Sequence, residues 1–184
     1  MDDQELFGPR HSIRLRGFAY AQEGAYFLTI CAYNRRCLFG NVKDSRVELT
    51  ALGKIVDECW AAIPLHFPHT GVPSHVVMPN HLHGIVLLYS DPRRNGKRPE
   101  AFQKPVAGSV PTIARAFKAA VTREARRYGL EPPHDLWQHN YFERVLRNGQ
   151  ECTNAMRYIL ENPVRWQFDR ENPEWFATAH PPKS

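Results

Sequence analysis

His81 and His83 stand two residues apart in the run VVMPNHLHGIVLL, residues 76–88. On a strand, side chains at that spacing project from the same side. Neutral imidazole is a common transition-metal ligand, and two from alternate strand positions reach one ion. The motif is short, however, and two hydrogen-bonded polar residues at the start of a strand explain it as well. A catalytic metal site also needs a third protein ligand and open positions. The candidates are His75, His134, Asp135, His139, Glu143 and Asn162. Tyr158 and Asn162 are four apart, on one face of a predicted helix. A phenolate is a nucleophile. Its ordinary pKa of about 10 requires something, such as a nearby cation, to favour loss of the proton. On helix spacing alone, an ordinary core or rim tyrosine is the simpler account of Tyr158. Asn162 has the equally plain role of capping a turn that begins at Pro163.

The elements that must position these residues follow from hydrophobic periodicity. GAYFLTICAYNRRCLFG, residues 24–40, begins rich in β-branched and aromatic residues and predicts a first strand, ended by Asn34 and the arginines after it. A polar hairpin or loop follows. Leu52, Ile55, Val56, Cys59, Trp60 and Ile63 then keep the i, i+3, i+4 spacing of a helix, capped near Thr50 and ended by Pro64. VPSHVVMP predicts a second strand, Pro79 and Asn80 a break, and HLHGIVLLY a third strand, together a hairpin. Ile85 and Leu87 share the parity of His83, so the histidine face turns apolar farther along. Residues 90–108 carry Pro, Gly and charge without an apolar period, which predicts a loop within the domain. SVPTIARAFKAAVTREARRYG predicts a second helix, with Ser109 as cap, Pro111 in its first turn and Gly129 past its end. Its buried stripe is read as Ile113, Ala116, Phe117, Ala120 and Val121. LWQHNYFERVLR predicts a fourth strand. Asn148 and Glu151 have the spacing of a capping box. They open a last helix with Cys152, Ala155, Met156 and Ile159 inward, stopped at Pro163.

The order β-α-β-β-α-β is the ferredoxin-like split pattern. The predicted fold is therefore α+β, an antiparallel sheet with two helices on one side, plus an extra C-terminal helix that carries Tyr158. One domain is expected over residues 1–184, with a flexible loop near 91–108 and a short tail after 167. At 42% hydrophobic residues the chain can bury a core. No apolar run reaches the roughly 18 residues of a membrane span, and the acidic, polar start is unlike a secretion signal. Four cysteines without C-x-x-C spacing argue against a zinc knuckle or a disulfide framework, and the cytoplasm is the expected compartment. The net charge of +5 and pI of about 9.2 favour a polyanionic partner. The charge is clustered in RHSIRLR (10–16), RRNGKR (93–98) and AFKAAVTREARR (116–127), though each cluster is equally well a solvated surface.

VVMPNHLHGIVLL resembles the histidine–hydrophobe–histidine (HUH) signature of the single-tyrosine transposases. LWQHNYFERVLRNGQECTNAMRYILENPVRW resembles their tyrosine segment. RHSIRLRGFAYAQEGAYFLTICAYNRRCLFG and TIARAFKAAVTREA resemble the N-terminal strand and middle helix of one branch, the REP-associated tyrosine transposases of the IS200-like group. The resemblance runs from about Arg10 to Trp166, with four motifs in the same order. It implies metal ligation by His81, His83 and Asn162, with Tyr158 as nucleophile and Mg²⁺ or Mn²⁺ as cofactor. It further implies cleavage and rejoining of single-stranded, hairpin-flanked DNA through a 5′-phosphotyrosine, by a monomer or a homodimer. Arg10, Arg14 and Arg16, with Arg115, Lys118, Arg123 and Arg126 on the second helix, are the expected phosphate contacts. The fourth strand departs from the pattern: many relatives read Tyr-Tyr-Glu-His where this chain has Tyr141-Phe142-Glu143-Arg144. Competing readings are a hairpin-binding relative that does not cut, an RNA-recognition module, and a small metallohydrolase in which Tyr158 is structural.

Overall fold

The structure, a computed structural model, describes residues 23–90, 106–169 and 171–173. The expected contacts Arg10, Arg14 and Arg16, nearly all of the 91–108 loop and most of the tail after 167 lie outside the described residues. Among the described residues seven strands run in chain order as β1 (Gly24–Cys31), β2 (Gly40–Lys43), β3 (Arg46–Leu49), β4 (Thr70–Gly71), β5 (His75–Val77), β6 (His81–Leu88) and β7 (Phe142–Leu146). The helices are α1 (Ala51–Ala61), the single turn α2 (Ile63–His66), α3 (Val110–Arg127) and α4 (Gly149–Glu161).

The main sheet has the order β4-β6-β1-β7, with β5 also paired to β6, and every ladder is antiparallel. This is the expected α+β, ferredoxin-like arrangement, with the split second strand (β4 and β5) at one edge and β7 at the other. Side-chain alternation along β1 and β6 divides the interior in two. Tyr26, Leu28, Ile30, Leu82, Val86 and Leu88 face α1 and α3, where Ile55, Trp60, Ile113, Phe117 and Val121 meet them. Phe27 and Ile85 face the other way and pack against Ala155 and Ile159 of α4. The extra helix thus covers the second face of the sheet. That explains why Ile85 and Leu87, on the histidine side of β6, are apolar.

The first turns fall where expected, and later boundaries differ. β1 stops at Cys31, because Asn34 and Arg35 take left-handed backbone angles (φ 52° and 53°) and turn the chain. The expected polar hairpin is β2–β3, closed by Asp44 and Ser45, both at positive φ, the conformation that two-residue hairpin turns require. α1 ends at Ala61, and Pro64 sits in the first turn of α2 rather than marking a stop. The fourth strand begins only at Phe142. Upstream of it, the carbonyls of Gln138, His139 and Asn140 are taken by the Lys118 ammonium, leaving one bridge, Ala32 to Trp137. The buried face of α3 includes Ala114 and Ala125, not Ala116, which is exposed. Alanines occur on several sides of this helix, so Ile113, Phe117 and Val121 alone carry the directional signal. Ser109 makes no capping bond to the helix backbone. Among the described residues no helix is long and apolar enough to cross a membrane.

Candidate active site

The two central strands present the histidines. Across the β1–β6 ladder Thr29 lies opposite His83 and Cys31 opposite His81. Both imidazoles are buried, at 0% and 2% exposure. Their Nε2 atoms face each other at 3.0 Å. The outer nitrogens are anchored, His83 Nδ1 to Thr29 Oγ1 at 2.8 Å and His81 Nδ1 to Asn80 Oδ1 at 2.8 Å. Phe27, two residues before Thr29, lies under the site, stacked on the His83 ring with centroids 5.3 Å apart.

α4 delivers the tyrosine. Its N-terminus is fixed by half of the expected capping box: Asn148 Oδ1 accepts from the Glu151 amide at 2.9 Å, whereas Glu151 Oε2 accepts at 3.2 Å from the amide of Arg147, one residue before the cap, instead of from that of Asn148. Arg144 pairs with the same carboxylate at 3.6 Å. Ala155 and Ile159 seat the helix on Phe27 and Ile85. That packing brings the Tyr158 ring edge-on to Phe27 (6.0 Å) and to His83 (5.1 Å). Tyr158 Oη lies 3.5 Å from His83 Nε2. The phenol and the paired imidazoles therefore meet within one chain, on one face of the sheet.

Beyond α4 the chain turns back across the site. Asn162 caps the helix end, and its side-chain oxygen is buried without a hydrogen-bond partner among the described residues. After a short 3-10 turn at Trp166–Phe168, Asp169 Oδ2 lies 3.9 Å from His81 Nε2. One donor atom each from His81, His83 and Asp169 falls within 4.8 Å of the others. Asp169 Oδ1 accepts from the Glu171 amide at 2.7 Å, which aims the carboxylate.

This donor set fits a divalent cation. Two imidazole nitrogens face one another and a carboxylate stands beside them. Mixed nitrogen and oxygen donors suit Mn²⁺ better than Mg²⁺, which prefers oxygen alone.

Asp169 was not legible in the sequence, because the 3-10 turn breaks the helical spacing that relates Tyr158 to Asn162. Thr29 and Asn80 were also missed. The signal for Thr29 was a lone hydroxyl in an apolar strand, and Asn80 read as a turn residue. The other sequence candidates lie elsewhere. His75 pairs with Gly84, on the opposite parity, and binds Asp57 at 2.9 Å. His134 and Asp135 form an exposed pair with each other, His139 is exposed, and Glu143 has the parity of Val145, toward the α1–α3 core.

The cationic residues of α3 gather on the far side of the sheet. Arg115, Lys118, Arg123 and Arg126 line an open cleft with Ala119, Thr122 and Trp137. Arg123 and Arg127 are both engaged by Glu124, whose carboxyl is held below its ordinary range by hydrogen bonds from Arg127 and then Arg123. Among the described residues Arg115 and Arg126 have no ion-pair partner. Burial pushes the Lys118 ammonium down to about 8, partly offset by Cys31. Burial, with Glu124 next, pushes the Cys59 thiol up to about 11, so it stays protonated and inert.

No family model matches the chain. A Haemophilus influenzae protein described as uncharacterized is 39% identical over 167 residues, covering 88% of this chain and 92% of its own length. Among solved structures, a REP-associated tyrosine transposase bound to a REP hairpin superposes with a TM-score of 0.54 at 20% identity, over 88% of this chain and 74% of that one. A transposase candidate from Deinococcus radiodurans superposes with a TM-score of 0.44 at 18% identity, over 78% of this chain and 93% of its own.

Proposed function

We propose, for a chain that belongs to one family with that Haemophilus influenzae protein and has the fold of a REP-associated tyrosine transposase, that it is a metal-dependent transposase. It cleaves and rejoins hairpin-flanked single-stranded DNA, with Tyr158 as nucleophile. The observation that carries this reading is the 3.5 Å approach of Tyr158 Oη to His83 Nε2 within a single chain. His81, His83, Asn162 and Asp169 would hold a divalent cation. When bound, that cation neutralises charge on the scissile phosphate and favours the ionised phenol.

The chain's own residues account for the remaining chemistry. Phe27 and His83 hold the Tyr158 ring edge-on, so the phenol oxygen is aimed before DNA binds. Tyr158 Oη bonds to phosphorus as the P–O3′ bond breaks, and the phenol proton ends on the departing 3′-oxygen. The 5′-phosphotyrosine conserves the phosphodiester energy, so a 3′-hydroxyl reverses the step without ATP. The structural neighbour is bound to a REP hairpin, and a hairpin with a short single-stranded flank is the substrate proposed here. Arg115 and Arg126, with Arg123 beside them, are the phosphate contacts proposed among the described residues; Lys118, expected among them, instead spends its three donors on the carbonyls of Gln138, His139 and Asn140. The arginines position the strand without reading its sequence.

The test is incubation with labelled single-stranded hairpins and Mn²⁺, followed by a denaturing gel. A protein–DNA conjugate is expected from the wild type and none from Tyr158→Phe, which keeps the ring and should still bind the hairpin. Undiminished cleavage by Tyr158→Phe would point to an activated water. Tight binding without any conjugate from the wild type would make this a binding protein.

A further inference from the structure

Asn80 is 1% exposed and uses its side chain in three directions. Its Nδ2 donates to the Arg35 carbonyl at 3.0 Å and to the Glu171 carbonyl at 2.6 Å. Carbonyl oxygens only accept, so the amide nitrogen must face them and Oδ1 must face the third partner. That partner is His81 Nδ1, at 2.8 Å. An amide oxygen cannot donate, so the hydrogen in this contact belongs to His81 Nδ1. In a neutral imidazole the other nitrogen is then bare. His81 Nε2 accordingly turns a lone pair toward His83 Nε2 and the Asp169 carboxylate. His83 is not constrained in this way, because the Thr29 hydroxyl either donates or accepts.

We infer that Asn80 is a positioning residue that sets the tautomer of His81 and so presents Nε2 as a metal ligand. For the use of that nitrogen, the inference rests on the function proposed above. Asn80 sets the tautomer through two other parts of the chain. The Arg35 carbonyl belongs to the turn after β1 and the Glu171 carbonyl to the segment beyond the tyrosine helix. Arg35 Nε pairs with Glu171 Oε2 at 3.2 Å and clasps the same two segments together. Were Glu171 to leave, one of the two bonds that orient the amide would be lost. The segment that carries Asp169 into the site thus also helps to hold His81 in its ligating form. Outer partners of this kind fix ring orientation and tautomer in metal sites generally.

Nitrogen-15 correlation spectra of the metal-free wild type, taken where histidine is neutral, report the tautomer directly. The expected result is hydrogen on Nδ1 of His81, and hydrogen on Nε2 would overturn the inference. Calorimetric titration with Mn²⁺ gives the second readout. Asn80→Ala should weaken binding about 10–100-fold and lose the tautomer preference. Asn80→Asp keeps an oxygen for the Nδ1 hydrogen, although it sets a carboxylate against two carbonyls. It should therefore recover most of the affinity despite a lower melting temperature. A merely structural Asn80 would make Asp at least as damaging as Ala, and that ranking, or unchanged affinity in Asn80→Ala, would refute the role. A wild type that shows the Nδ1 hydrogen yet binds no Mn²⁺ would refute the metal reading while upholding the assignment of the tautomer.

Discussion

Adding Mn²⁺ to the metal-free protein should raise its melting temperature, and the donor arrangement sets the scale. His81 and His83 come from β6, Asn162 from the end of α4 and Asp169 from beyond the following 3-10 turn. In the unfolded chain these four residues are scattered over about ninety positions, so an ion held by them as proposed would bind the folded state almost exclusively. Such a ligand stabilises by RT ln(1 + [L]/Kd), about 2.7 kcal/mol when the free ion stands at roughly 100 times its dissociation constant. For a chain of this size each kcal/mol moves the midpoint by about 2–4 °C, so a rise of about 5–11 °C is expected at saturation. Mg²⁺ should give less, because two of the donors are imidazoles. The assay is thermal unfolding in Mn²⁺ and in chelator, for the wild type, His83→Ala and Asn162→Ala. Each variant has its own metal-free midpoint, so the quantity compared is the shift within one protein. The shift should vanish in His83→Ala and shrink in Asn162→Ala. An identical midpoint in Mn²⁺ and chelator, or an undiminished shift in His83→Ala, would show that these residues do not bind the ion.

Other expectations are narrower. Mixing His83→Ala with Tyr158→Phe should not restore the protein–DNA conjugate, because each chain assembles its own site; recovery would mean that two copies share one. Arg115→Ala and Arg126→Ala should each weaken hairpin binding and flatten the slope of log affinity against log salt by about 1, whereas an unchanged slope removes that arginine from the interface. A Cβ on Gly84 would stand 2.3 Å from Cζ2 of the buried Trp60 ring, itself packed against Phe117 at 5.3 Å. Gly84→Ala should therefore cost about 1–3 kcal/mol in urea unfolding, and a loss within error would mean that the ring has room to move. Lys118 is held near 8 when folded, against about 10.4 when unfolded, so the penalty for its buried charge is fully present below about pH 8 and is relieved as pH rises toward about 10. The stability of the wild type relative to Lys118→Met should accordingly increase across that window, and a flat difference would contradict the assignment.

The strand and helix order was legible because apolar spacing is a local property. Ile55, Val56 and Trp60 marked α1, and alternation along residues 81–88 marked β6. The pairing of Tyr158 with the histidines was legible only through resemblance to a family. No spacing rule joins a residue on β6 to one on α4, and the apolar parity of Ile85 and Leu87 only hinted that something covered that face. What could not be read arises where long-range contacts override local signals. The 136–141 segment looks like a strand, but Lys118 from a different element takes its carbonyls. Asn80 looks like a breaker beside Pro79, but its amide is spent on three partners, two of them far away in the chain.

The site combines two kinds of support, and the difference has consequences. His81, His83, Thr29 and Phe27 stand on adjacent central strands, where each side chain's direction is dictated by the ladder. Tyr158 is held by the packing of Ala155 and Ile159 against Phe27 and Ile85. The distance between phenol and imidazole is thus set by core packing on regular elements, which hold a geometry more closely than loops do. Asp169 comes instead from a turn, steadied by the Glu171 amide and by the clasp of Arg35 with Glu171. Tyr158 and the two imidazoles therefore form the rigid part of the site. The carboxylate is the part whose approach depends on how firmly the segment beyond the tyrosine helix is docked.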